Sequence, residues 1–240
     1  MKVKKGKDER IFLGIAYVLV AVFAVVCLLP FYLVLVGSFT KESTILTEGY
    51  SFFLTAKNFS LEAYKMAFKS PDTLVQAYGI TIFVTVVGAI TAVLLSAMTG
   101  YVLARPDFPW RNKISFFFFF TTLFSGGLVP WYLMCSKFFK FNNHIYSLIL
   151  PCLFSVWNMI IAKSFMKGIP FELTEAAKVD GAGDFYIFWK IILPTAKPLI
   201  ATIGLFTALT YWNDWYNCML FMSTGGTWNL QYTCLLYTSP

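Results

Sequence analysis

EAAKVDGAGDFYIFWKIILP, Glu175 to Pro194, lies between two apolar stretches in a chain whose composition suits lipid. Glu175, Ala176 and Ala177 have fair to high helix propensity, and Glu172 falls near the positive end of the helix dipole. Pro170 suits a first helical turn, where its missing N–H is no loss. Glu175 and Lys178, three apart, are spaced to pair on one face. Gly181 can take the left-handed conformation that ends a helix, and Asp184 can cap a second one over 185–193, which Pro194 discourages from continuing. The stretch therefore predicts a helix–turn–helix. Its first helix is short and lined by small residues (Ala176, Ala177, Gly181), open either to a partner backbone or to packing on the chain's own spans.

The flanks define what this hairpin interrupts. Of 240 residues 58% are hydrophobic and 13% charged, against about a quarter charged in soluble domains. A bilayer core of about 30 Å takes about 20 apolar residues per helix. Five segments meet that length, at about 11–39, 73–104, 114–136, 145–166 and 195–222. The fold expected is an all-α, polytopic membrane bundle of five transmembrane helices. The basic start before residue 11 is no cleavable signal, because the apolar run is too long. Residues 40–72 are mixed in character and water-exposed, with a short helix near LEAYKMAF, and Pro106 and Pro109 force a polar turn.

Lysine and arginine set the orientation. The N-terminus, the 105–113 turn and the 163–197 region hold 13 of them, the other side 6. That places the N-terminus and the hairpin in the cytoplasm. The net charge of +7 follows this pattern and forms no basic stripe for nucleic acid. Five scattered cysteines and one histidine offer no metal-ligand spacing.

Three features are candidates for a substrate path. Trp212, Asn213, Asp214 and Trp215 lie late in the fifth span, about 28 Å from Thr195. Asp214 is the one acidic residue there, and an intramembrane carboxylate is a functional candidate. The rings suit sugar faces or, equally, an interfacial aromatic belt. Gly126, Gly127 and Pro130 break the third span, either to line a cavity or as a packing kink. Asn158 is a buried polar residue, more often an interhelical hydrogen bond than a ligand contact. The Phe116–Phe120 run faces lipid and fills the core.

Glu175-Ala176-Ala177, three residues, Gly181, nine residues, then Ile191, Leu193 and Pro194 resembles at every position the EAA motif of membrane permease subunits of ABC importers. GIPFELTEAAKVDGAGDFYIFWKIILP, YWNDWYN (Tyr211–Asn217) and FSGGLVPWY (Phe124–Tyr132) are similar to the carbohydrate-uptake group and its LplC-like branch. The likeness extends to about Thr233. It implies a non-catalytic subunit of a bacterial plasma membrane importer that moves a sugar or oligosaccharide by alternating access. Its coupling surface would be Glu172, Glu175, Ala176, Ala177, Asp180 and Gly181. The implied partners are a cytoplasmic ABC ATPase dimer, a second and usually unlike permease, and an extracytoplasmic solute-binding protein. No GxxxxGK[ST] stretch occurs in the chain, so ATP and Mg²⁺ belong on the ATPase. The alternative class is an ion-coupled secondary transporter, for which several intramembrane charges and repeated halves are expected. The family has six spans. Cys234–Pro240 resembles a translated sequencing adapter, so the expectation is a transport domain over 1–233 that continues naturally, an artefactual 234–240, and a loop over 223–233.

Overall fold

The structure is a computed structural model and describes residues 6–55, 57–67, 71–222 and 227–238. They form helices and turns in two compact units, 1–71 and 72–240.

In the first unit, α1 (Lys7–Ser38) opens with Asp8 and Glu9 in its first turn, where acidic side chains favour the helix dipole. Its Pro30 is tolerated as prolines in membrane helices are. α2 (Glu42–Glu48) and α3 (Glu62–Ala67) follow. The chain after α1 folds back on the helix end: the Phe39 and Tyr64 rings meet at a tilt with centroids 5.3 Å apart, the Ser38 and Tyr64 hydroxyls share a 3.0 Å hydrogen bond, and Thr40 bridges Phe59.

The second unit is built on α4 (Pro71–Ala104). At about 1.5 Å per residue its 34 residues reach about 50 Å, beyond a 30 Å hydrocarbon core. Pro71 and Asp72 suit its first turn, and Arg105-Pro106 ends it. Its buried side is mostly small: Ala77, Thr81, Gly88, Ala92, Ser96 and Gly100. Small residues let membrane helices approach closely. A Cβ on Gly88 would stand 2.5 Å from the Tyr211 ring, and one on Gly100 the same distance from the Ala162 Cβ.

The remaining spans are broken rather than straight. α5 (Arg111–Leu123) stops at Ser125-Gly126-Gly127, where Gly127 has φ +87°. α6 (Leu128–Leu133) continues into a π turn, Met134–Phe138, bent 114° from α5. Short 3₁₀ turns over 145–152 precede α7 (Val156–Met166) at 49°, and the Ser155 hydroxyl caps α7 by accepting from the Asn158 N–H. Then come α8 (Glu172–Val179), α9 (Asp184–Ile187), a π turn over Phe188–Ile192, α10 (Leu193–Thr195), α11 (Lys197–Trp212), α12 (Tyr216–Phe221) and α13 (Leu230–Thr238). Among the described residues, α1 and α4 are the helices long and apolar enough to cross a membrane; counting each of three bent pairs as one span gives up to five, the number expected. The last pair bends 83° between 184–195 and 197–212, so it takes in the second helix of the hairpin and stops before the end of the 195–222 stretch expected; Pro198 in the first turn of α11 lacks an N–H.

Two further sequence expectations change here. Helix continues past Pro194, because the wide π turn before it accommodates the ring. The expected loop over 223–233 is only partly one. Residues 223–226 lie outside the described residues, but α13 starts at Leu230, whose N–H donates to Thr81 Oγ1 at 2.8 Å. Asn229 and Thr233 are buried.

Candidate functional site

α8 ends in a motif its sequence dictates. Gly181, at φ +81°, donates its N–H to Lys178 O at 3.0 Å, and the Ala182 N–H reaches Ala177 O at 2.9 Å. This paired closure requires a left-handed residue, which glycine adopts without penalty. Glu172, Glu175, Ala176, Asp180 and Gly181 face outward, and Val179 is 88% exposed beside the exposed Phe185 and Tyr186. The inner side is mostly apolar: beside the buried Thr174, Ala177, Ile187 and Phe188 pack with Tyr101 of α4 and Met166 of α7.

This geometry corrects four details. Ala177 is buried against its own chain and leaves the outward small surface to Ala176 and Gly181. Pro170 lies two residues before α8. Gly183, not Asp184, occupies the cap of α9. Lys178 turns from Glu175 to Asp107 Oδ2 (3.5 Å) and Asp184 Oδ1 (3.6 Å), where two carboxylates outweigh one.

Those carboxylates belong to a cluster that the sequence reading missed, centred on Arg105. Its Nη2 and Nε donate to Asp107 at 2.5 and 2.9 Å, and its Nη1 to Asp184 Oδ1 at 2.6 Å. The guanidinium also lies 5.6 Å from the Tyr101 ring centroid. Hydrogen bonds from Arg105 hold the Asp107 carboxyl down at about 2, hold Asp184 below the usual carboxylate range, and raise the guanidinium's own pKa. A carboxylate with a depressed folded pKa contributes stability above its unfolded value, here 3.8, and loses it as pH falls through about 2. Asp107 is 38% exposed, so screening limits the gain to about 0.5 kcal/mol. The thermal midpoint of Arg105→Gln in detergent should therefore trail the unmodified chain by a constant gap from neutral pH to about 5. The gap should narrow below about pH 4; a gap that widens on acidification contradicts the assignment.

The break between α5 and α6 opens a pocket of about 680 Å³. Gly126 and Gly127 line it, as do Trp131, Tyr216, Thr121 and Thr122, whose side chains carry rings and hydroxyls. Those hydroxyls donate to Phe118 O and Phe119 O, which leaves their lone pairs as acceptors. Rings beside hydroxyl acceptors can take a sugar's C–H face and its hydroxyl hydrogens. Trp131 and Tyr216, 85 positions apart, carried no joint signal in the sequence beyond belonging to two aromatic motifs.

The other candidates lie apart from this pocket. Asp214 sits in the break between α11 and α12 and caps α12, accepting from the Asn217 N–H at 3.1 Å and Nδ2 at 2.9 Å. Its backbone carbonyl accepts from Asn229 Nδ2. Asn213 donates to Leu209 O at 2.9 Å, and Trp212 and Trp215 flank the same break. Asn158 makes the interhelical bond, Nδ2 to Thr207 Oγ1 of α11, at 3.4 Å.

An all-α chain with several apolar spans and an outward hairpin is a polytopic membrane protein. The chain belongs to the binding-protein-dependent transport system inner membrane component family, which matches residues 96–227. It is 37% identical over 223 residues to the polygalacturonan/rhamnogalacturonan transport system permease protein YtcP of Bacillus subtilis (strain 168), covering 93% of this chain and 77% of that one. It is also 37% identical over 206 residues to protein LplC of the same organism, covering 86% and 68%. The fold matches a crystal structure of a bacterial ABC transporter involved in the import of the acidic polysaccharide alginate, with a TM-score of 0.82 and 26% identity over 97% of this chain and 81% of that one. A permease of this family is a transport component, not an enzyme, and works with an ATPase and a binding protein. The ion-coupled alternative is not favoured.

Proposed function

We propose that this chain is a sugar-translocating permease of an ATP-driven importer, with Glu172, Glu175, Ala176, Asp180 and Gly181 as the surface that an ATPase engages. The observation that carries this is the hairpin: a short helix, closed by a left-handed glycine, presents small and acidic residues outward on an apolar base. The N-terminus and the hairpin face the cytoplasm, as the 13-to-6 distribution of lysine and arginine supports. There a dimeric ATPase holds ATP and Mg²⁺. A second, unlike permease completes the path, and an extracytoplasmic solute-binding protein delivers substrate. The cargo is an oligosaccharide. Uronic-acid oligomers are the first class to assay, since two similar proteins are named for polygalacturonan and alginate.

The substrate path runs through the α5–α6 break rather than past Asp214. Gly126, Gly127, Trp131 and Tyr216 line it, while the carboxylate of Asp214 is engaged as a helix cap. Labelled oligosaccharide uptake into cells tests both parts. Uptake should stop on ATP depletion and survive collapse of the ion gradients; the reverse pattern overturns the proposal. Trp131→Ala and Tyr216→Ala should each cut uptake about tenfold, as loss of a stacking face removes roughly 1–1.5 kcal/mol. ATP hydrolysis should continue in both.

A further inference from the structure

We propose that Arg105 is a positioning residue for energy coupling: it clamps the α8–α9 hairpin to the turn between α4 and α5, so that movement of the hairpin reaches the helix whose break opens the pocket. The inference rests on the importer function proposed above and names a part of it outside the coupling motif.

An arginine that serves only to orient a chain in a membrane needs charge and water. Arg105 has little water, its side chain being 14% exposed. Both edges of its fork are occupied, one by Asp107 of its own turn and the other by Asp184, 79 positions away at the start of α9. Tyr101 covers its face, and its carbonyl accepts from Arg111 Nη1 at 3.1 Å, the first residue of α5. A planar guanidinium can satisfy two carboxylates at fixed angles; an ammonium cannot. Lys178 adds a second cation between the same carboxylates.

Connectivity gives the clamp its consequence. The hairpin runs through the Phe188–Ile192 turn and α10 directly into α11, so displacement reaches α11 along the chain. It packs on α4 and α7 through apolar contacts. α5, which ends at Leu123 just before the Gly126-Gly127 break, meets α7 through the bond from Lys163 Nζ to Ser115 Oγ at 2.6 Å and meets the hairpin through its leading turn. Among the described residues, the Arg105–Asp184 and Lys178–Asp107 pairs are the ion pairs joining the hairpin to the turn that begins α5. Apolar contacts permit sliding; the fork on Asp107 holds the guanidinium's angle, and its single charge-assisted bond from Nη1 to Asp184 Oδ1 fixes the distance to the hairpin.

The test uses the assembled transporter with its ATPase and partner permease. Ser125→Cys in the pocket serves as a reporter, and its maleimide labelling is followed by peptide mass spectrometry, which separates it from the native cysteines. With Arg105 and Asp184 intact, labelling should change about fivefold between the nucleotide-free and the ATP–vanadate-trapped states. In Arg105→Gln and in Asp184→Asn the change should fall below about twofold while the ATPase stays bound and hydrolyses ATP. The double variant should fall short of the sum of the two single ones, since the Arg105–Asp184 contact is lost in both. A full response in either variant, an additive double variant, or loss of the ATPase from both overturns the clamp. If Arg105→Gln fails to reach the membrane, Asp184→Asn decides alone, because its carboxylate is 60% exposed and dispensable for packing. A reporter that ignores ATP with the clamp intact overturns the importer function itself.

Discussion

Gly181→Pro is expected to abolish ATP-driven uptake and the capture of an ATPase on purification, while the permease still reaches the membrane. Gly181 sits at φ +81°, and proline fixes φ near −65°. The substitution also removes the N–H that closes on Lys178 O. The combined penalty is about 3 kcal/mol, and it falls on a hairpin rather than on the spans. Nothing lies within 4 Å of a Cβ built at Gly181, so the defect is one of backbone conformation and not of crowding. Gly181→Ala should accordingly be milder, as alanine needs only to enter the left-handed region, at about 1–2 kcal/mol. Glu175→Arg reaches the same end differently: the side chain is exposed, the fold has no need of it, and only a partner can register the reversed charge. Capture of the ATPase by Glu175→Arg at an unchanged level sinks the coupling assignment, whatever Gly181→Pro does.

The parts legible in sequence were those set by near neighbours. Gly181 closes α8 through bonds confined to residues 177–182, and the Gly126-Gly127 break was visible because two glycines and a proline weaken any helix. The five-span count followed from length and hydropathy. What escaped was long-range. Arg105 read as one more basic residue beside an apolar run, since its partner Asp184 is remote in sequence and only the closed bundle joins them. Lys178 looked like the partner of Glu175 until the fold brought Asp107 closer. Asp214 drew attention as the acidic residue of its span, yet its carboxylate is occupied by Asn217, three residues on. A cap at a helix break and a ligand-binding carboxylate look alike in a one-dimensional pattern. The 114° bend that makes the α5–α6 pocket is likewise set by what α6 packs against, where Trp131 meets Phe221 at 5.5 Å between ring centroids.

The largest effect on stability is expected from Gly100→Val. Gly100 ends a stripe of small residues on α4, and α7 crosses it at backbone distance. A Cβ there would stand 2.5 Å from the Ala162 Cβ and 2.9 Å from both Ala162 C and Lys163 N. Two of those three atoms are main chain and cannot rotate aside, so α4 and α7 must separate. Separation opens the cluster of Val93, Ala97, Ala162 and Ile203, and the Asn158–Thr207 bond next to it loses its geometry. Overpacking of this kind costs about 3 kcal/mol, a large share of the stability of a folded domain. Gly100→Val should fail to accumulate in the membrane and should lose its thermal transition in detergent. Gly79→Val, on the same helix with nothing within 4 Å of a Cβ, should accumulate normally, which separates crowding from helix propensity. Pairing Gly100→Ala with Ala162→Gly should recover part of the loss, because it removes the 2.5 Å contact and leaves the main-chain ones. Normal accumulation and melting of Gly100→Val would mean that α4 and α7 do not meet at this glycine, and the placement of the hairpin on their common end would fall with it.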